Sequence, residues 1–255
     1  MKIYRYKYNK RIFYGILKGE KLFSIEGSIF RKFRVQKKGI PISEVILLPP
    51  IRPSKIIGIG INYKDHAMER GKALPKKPLI FLMPPSAIVG PNDIIIYPKM
   101  SKRVDYEGEL ALIIKKEASH IDENDNIEDY ILGYTCFNDV TARDLQEKDG
   151  QFTRAKSFDT FAAVGPCIAT GINPNYLMLK TFLNGKLKQS GNTRNLIFPV
   201  HYLVRFVSNV MTLCPGDVIT TGTPAGIGPM LPGDRVDIQI ERIGTLSNTV
   251  MKIRK

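Results

Sequence analysis

Alternating apolar and basic residues open the chain, in "IYRYKY", "RIFYGIL" and "KLFSIEG" within residues 1–48. Period-two alternation interrupted by glycine predicts a few short strands. The prolines of "LLPPIRPS" (47–54) then break regular structure and mark a boundary. Past it, "KIIGIGINY" (55–63) reads as a buried strand with glycines. A turn joined to a β-branched run recurs in "GPNDIIIYP" (90–98), "CPGDVITTG" (214–222) and "PGDRVDIQI" (232–240). Pro, Gly and Asn set each turn, Asp supports it through side-chain hydrogen bonds, and a strand follows. Apolar spacing near 3.6 predicts helices only around 62–71, 141–148 and 199–211. The fold class is therefore mainly β (α+β) with few helices, and no repeat long enough for a solenoid occurs.

A length of 255 residues suits a main domain with a small appendage. The expected division is a small β-rich domain over 1–50 and a main domain over 51–255. Apolar and charged contents of 43% and 24% are ordinary for a soluble globular protein. The net charge of +14 admits three readings: a nucleic-acid stripe, a field drawing in small anionic substrates, or lysines and arginines spread over a solvated surface. Clusters such as "KALPKK" (72–77) and "FRKFRVQKK" (30–38) are short and lack a regular aromatic interleave, so no nucleic-acid partner is expected. Cys136, Cys167 and Cys214 show no CxxC spacing, which argues against a disulfide framework and fits a reducing cytoplasm. The charged N-terminus is no signal peptide, and no run nears the roughly 18 apolar residues that span a bilayer.

"RVDYEGELALII" (103–114) places Asp105, Glu107 and Glu109 at alternate positions ahead of a run apolar enough to be buried. Residues two apart in a strand share a face, and adjacent carboxylates repel. They lie in solvent, pair with basic residues, or hold a cation. "CFNDVTARD" (136–144) offers Asp139 from a neighbouring element. Carboxylates without His or Cys suit Mg²⁺, Mn²⁺ or Ca²⁺ rather than structural zinc.

In "GINYKDHAMERG" (60–71), His66 and Glu69 are neighbours if the segment is helical. The pair is either a carboxylate-oriented general base or an incidental surface contact. "QFTRAKSFDTFAAVGP" (151–166) carries Lys156, which could neutralise a substrate carboxylate or simply pair with Asp159. The loop "TTGTPAGIG" (220–228) could cradle an anion with its amides and the Thr223 hydroxyl, or be a tight structural turn. It lacks the Lys-Ser/Thr ending of a P-loop.

Taken in order, "IGINYKDHAMERG", "DYEGELALII", "GYTCFNDVTARDLQ", "AKSFDTFAAVGP" and "TGTPAGIG" resemble the fumarylacetoacetate hydrolase family over about residues 52–245. The resemblance implies a mixed β-sandwich or β-roll with few helices, with the first 50 residues similar to a small variable domain found on shorter members. It implies Glu107, Glu109 and Asp139 as ligands of Mg²⁺ or Mn²⁺ (Ca²⁺ in a crystal), and His66 with Glu69 as a catalytic dyad. Gln146, Lys156 and Thr223 fall on substrate-facing positions, Lys156 also serving catalysis, and Arg143 is expected to pair with a carboxylate. The implied substrate is a small anionic 2-oxo or 1,3-dioxo acid, and the implied assembly a homodimer. Hydrolysis of a C–C bond in an acylpyruvate or fumarylpyruvate is the first expectation. Isomerisation of 2-hydroxyhepta-2,4-diene-1,7-dioate, or decarboxylation of an oxo-acid such as oxaloacetate, is the second. "FAAVGP" (161–166) stands where the family pattern reads "FAPLGP", an apolar exchange that bears on pocket shape alone.

Overall fold

The computed structural model describes residues 1–252. The N-terminal alternation folds into an antiparallel meander of β1 (Lys2–Tyr8), β2 (Arg11–Lys18), β3 (Lys21–Gly27) and β4 (Phe33–Pro41). Asn9 and Lys10 join β1 to β2 with φ of 47° and 64°, the double left-handed turn whose twist suits a tight hairpin. β5 (Ile46–Leu48) lies along β1, and the prolines end it. The main body starts with β6 (Ile56–Gly60), α1 (Lys64–Glu69), β7 (Leu79–Met83), β8 (Ile88–Val89) and β9 (Ile94–Ile96).

Residues 103–114 do not form one strand. β10 (Val104–Tyr106) and β11 (Gly108–Ile114) belong to different sheets, and the chain changes sheet at Glu107. β12 (Ile131–Asp139) runs antiparallel to β11, and β13 (Thr141–Ala142) follows. Helix α2 (Arg143–Asp149) lies where apolar spacing predicts one; α3 (Thr153–Lys156) is a single turn, too short for periodicity to show. β14 (Ala162–Ala169), β15 (Met178–Leu183), β16 (Lys186–Asn192), α4 (Val200–Ser208), β17 (Val218–Thr220), β18 (Gly228–Met230), β19 (Arg235–Ile240) and β20 (Gly244–Met251) complete the described chain.

The largest sheet has twelve strands, ordered β4-β3-β2-β1-β14-β12-β11-β17-β6-β7, with β5 on β1 and β8 on β14. The N-terminal meander joins it edge to edge through Lys2–Ala169 and Ile3–Ile168. A five-stranded sheet, β16-β15-β19-β20-β9, and a three-stranded one, β13-β10-β18, make up the rest. The apolar run of β11 follows from its central place, because both its faces are covered. Leu110, Leu112 and Ile114 enter one apolar cluster, and Ala111 and Ile113 the other. Among the described residues no helix is long and apolar enough to cross a membrane.

The sheets lie close together at Gly108, where a Cβ would lie 2.3 Å from Thr181 Oγ1 and 3.1 Å from Ile238 Cδ1. Gly108→Ala should therefore cost about 1–3 kcal/mol of overpacking, read as a lower denaturant midpoint. An unchanged midpoint would show that the sheets can part here at no cost.

Candidate active site

Strand register assembles the acids. β11 and β12 pair Glu109 with Phe137 and Gly108 with Asn138, which sets Asp139 beside Glu107. The Asp139 amide donates to the Glu107 carbonyl at 2.9 Å, and the Glu107 amide to Asn138 Oδ1 at 3.0 Å. One carboxylate oxygen each from Glu107, Glu109 and Asp139 then lies within 4.8 Å of the others, and all three residues are buried.

Asp105 joins them as a fourth buried acid, against two buried cations, Arg143 and Lys156. Arg143 donates from Nε to Asp105 at 2.9 Å and from Nη2 to Glu107, and Arg103 adds a second fork on Asp105. Asp105 is thus an ion-paired acid, neither solvated nor in the three-oxygen cluster. Lys156 donates to Glu107 Oε2 at 2.9 Å and to Asp139 Oδ2, while Asp159 is exposed and takes no part. Among the described residues Glu109 accepts the Gly222 amide alone, at 2.8 Å. Asp139 Oδ1 is buried without a partner among the described residues.

The electrostatics follow. Burial alone would raise the Glu107 carboxyl, but Lys156 and Arg143 outweigh it and hold it well below the ordinary range. Burial and the Asp139 charge push Glu109 well above its ordinary value. Burial raises Asp139 to about 6 even against Lys156. Excess buried negative charge, an unpartnered carboxylate oxygen and hard oxygen donors fit a divalent cation of the Mg²⁺ or Mn²⁺ class.

Across the cavity, α1 brings His66 Nδ1 to 3.0 Å from Glu69 Oε2. A carboxylate only accepts, so Nδ1 carries a proton towards Glu69, and in the neutral ring Nε2 is the nitrogen with the lone pair. The other Glu69 oxygen accepts the Gly226 amide at 2.9 Å. The loop 220–228 therefore does hold anions, but they are the protein's own: Gly222 serves Glu109 and Gly226 serves Glu69. Both glycines have positive φ, and a Cβ at Gly226 would lie 2.2 Å from the Lys188 carbonyl.

The Thr223 hydroxyl donates to the Gly108 carbonyl at 2.8 Å and accepts from Gln189 Nε2 at 2.7 Å, so its hydrogen bonds go to the fold. Gln189 Oε1 in turn accepts the Gly108 amide at 3.0 Å. This closed ring clamps the glycine between the two glutamates. No sequence signal marks Gln189; it is a lone glutamine in "KLKQSGN", and its partners lie far along the chain. Gln146 accepts from Arg143 Nη1.

A cavity of about 460 Å³ brings these groups together. Ile59, His66, Glu107, Glu109, Asp139, Arg143, Lys156 and Thr223 are its buried lining, and Arg70, Lys72, Gln146 and Glu147 also face it. Leu79, Phe81 and Phe152 supply an apolar side, where Phe81 and Phe152 meet edge to face at 5.1 Å. Lys156 Nζ lies 5.2 Å from the Phe81 ring centroid.

Residues 55–251 match the family model described as fumarylacetoacetate (FAA) hydrolase, C-terminal. The chain belongs to the fumarylacetoacetate hydrolase family. It is an enzyme of that family, whose relatives include isomerases, hydrolases and oxaloacetate tautomerases. Residues 1–50 match a second model, Rv2993c-like, N-terminal. A protein of Archaeoglobus fulgidus is 53% identical over 251 residues, 98% of this chain and 96% of that one. The mitochondrial oxaloacetate tautomerase Fahd2a of Rattus norvegicus is 40% identical over 233 residues, 87% of this chain and 74% of its own. The crystal structure of 2-hydroxyhepta-2,4-diene-1,7-dioate isomerase from Mycobacterium marinum superposes with a TM-score of 0.92 at 41% identity, covering all of both chains. That of maleylpyruvate hydrolase from Sphingobium sp. SYK-6, with manganese(II) and pyruvate, gives 0.82 at 29% identity, again over both full chains.

The raised carboxyls carry a pH signature. A carboxyl whose folded pKa exceeds its unfolded value destabilises the fold once ionised, so Asp139 makes the metal-free protein less stable as pH rises from about 4 past 6. The gain in melting temperature from added Mn²⁺ over EDTA should therefore be larger at pH 7 than at pH 4.5, and Glu109→Gln should abolish it. A gain of equal size at both pH values would count against the three-carboxylate site.

Proposed function

We propose that this enzyme catalyses keto–enol proton transfer on a short 2-oxo diacid of the oxaloacetate class, with a divalent cation. The observation that carries the reading is a free imidazole nitrogen on His66, oriented by Glu69, facing the same cavity as the buried oxygen cluster and Lys156. The order of likeness supports proton transfer over the C–C cleavage expected first. Relatives named as oxaloacetate tautomerases are 40% and 42% identical and named isomerases 41% and 40%, whereas the named hydrolases are 36% and 29% identical.

Held by Glu107, Glu109 and Asp139, the cation would supply Lewis acidity to the oxygens of the oxo-acid. The protein does the rest. His66 Nε2 takes the proton from C3, and Glu69 stabilises the imidazolium that forms. Gly226 keeps Glu69 in place. The same imidazolium returns the proton to the C2 oxygen, so the reaction balances with no co-reactant. Lys156, charged among Glu107 and Asp139, favours negative charge on that oxygen, and the Phe81–Phe152 side excludes water.

Net charge contributes less to this pocket than its size suggests. Residues 1–50 hold 12 of the 38 basic residues and 3 of the 24 acids, yet none lines the cavity. The basic side chains that line it are Arg70, Lys72, Arg143 and Lys156, of which Arg143 and Lys156 are paired with the buried acids.

Hydrolysis remains the second reading, favoured by the maleylpyruvate hydrolase likeness, since the same dyad can deprotonate water. The two separate by assay. Oxaloacetate enol absorbance should decay faster with enzyme and Mn²⁺, EDTA should stop it, and His66→Asn or Glu69→Gln should lower kcat about 10²- to 10⁴-fold. Cleavage of acetylpyruvate or fumarylpyruvate into two acids at a higher kcat/KM than tautomerisation would replace the proposal with hydrolysis.

A further inference from the structure

We infer that Arg70 reads the distal carboxylate of the substrate, and that Glu147 holds its guanidinium until the substrate takes it over. The inference rests on the 2-oxo diacid reading above and names the residue that makes the enzyme select a diacid.

Four Lys and Arg side chains line the cavity: Arg70, Lys72, Arg143 and Lys156. Arg143 and Lys156 are 3% exposed, and their donors are committed to Asp105, Glu107, Asp139 and Gln146. They hold the acid cluster and have little left for a remote substrate group. Arg70 differs. Among the described residues its one ion pair is a single Nη2–Oε1 contact of 3.3 Å with Glu147, whose side chain is 60% exposed. Exposed pairs of this kind contribute little, because water screens them, so another carboxylate can displace Glu147 at little cost. A guanidinium binds a carboxylate through two parallel N–H bonds, and Glu147 uses only one of them.

Position favours Arg70 over Lys72. The Arg70 amide donates to the His66 carbonyl at 3.0 Å, closing the last turn of α1 one residue after Glu69. Whatever Arg70 grips is therefore registered against the dyad. Lys72 follows Gly71, where φ is +59°, and its amide returns to the Ala67 carbonyl at 2.9 Å, two residues further from Glu69 along the chain than Arg70. A substrate with its oxo-acid end at the oxygen cluster and its far carboxylate at Arg70 would lay its C3 along the wall that carries His66. The apolar Leu79, Phe81 and Phe152 offer the methylene carbon a dry side.

The test compares two acids alike in their oxo-acid head and chain length, 2-oxoglutarate and 2-oxopentanoate, by calorimetric titration of the Mn²⁺-loaded full chain. The unmodified protein should bind the diacid about tenfold more tightly. Arg70→Gln should bring that ratio to about one while leaving monoacid affinity within about twofold. Glu147→Gln, which frees the guanidinium, should strengthen diacid binding.

Equal affinity for both acids in the unmodified protein would overturn the inference. So would Arg70→Gln weakening both acids alike, or Lys72→Gln abolishing the preference while Arg70→Gln keeps it. The outcome is separable from the proposed activity. If Arg70→Gln loses the diacid preference in an enzyme inert towards oxaloacetate, the tautomerase reading falls and this one stands. Active tautomerase with an unchanged preference gives the reverse.

Discussion

Four carboxylates share one buried volume with two cations, Arg143 and Lys156. Taking a charge out of water without a partner costs several kcal/mol, and like charges a few ångströms apart add to it. Much of the surrounding structure answers this constraint. The chain changes sheet at Glu107, so Asp105 and Glu107 turn to one guanidinium while Glu109 faces a different partner. Among the described residues Glu109 gets a backbone amide and no cation contact, and Asp139 Oδ1 gets no partner. That uncompensated negative charge is what suits the cluster to a cation, beyond what its salt bridges satisfy.

Backbone rigidity gives the arrangement its precision. Gly108 lies where two sheets nearly touch, and Gln189 and Thr223 close a hydrogen-bonded ring on it. The glutamates on either side cannot shift without breaking that ring or parting the sheets. Gly222 and Gly226 perform the matching task from the loop, one for the cluster and one for the dyad. One short loop thereby ties the base to the acids, although they come from separate parts of the chain.

Members of this family named as isomerase, hydrolase and tautomerase cover nearly the whole of this chain. All three chemistries can use an oxygen cluster and an oriented imidazole. What separates them must then lie in how the cavity holds the far end of a substrate. On the inference drawn above, the groups at that end are Arg70 and Glu147, a weakly held ion pair beside an apolar wall.

Local pattern alone determined the β-rich class, the turn-strand device and the helices around 62–71, 141–148 and 199–211, because alternation, turn chemistry and 3.6-residue spacing act between near neighbours. It also put His66 three residues before Glu69, which a helical turn makes adjacent. Family resemblance singled out Glu107, Glu109 and Asp139, since the acids recur in a fixed order of segments. Tertiary structure decided the rest. Asp105 and Glu107 read as members of one strand, yet the strand breaks between two sheets. Lys156 passes over nearby Asp159 for Glu107, 49 residues away, and Gln189 reaches Gly108 across 81. Such partners share no local periodicity; they meet only once the sheets have packed, and burial then makes each hydrogen bond and ion pair obligatory.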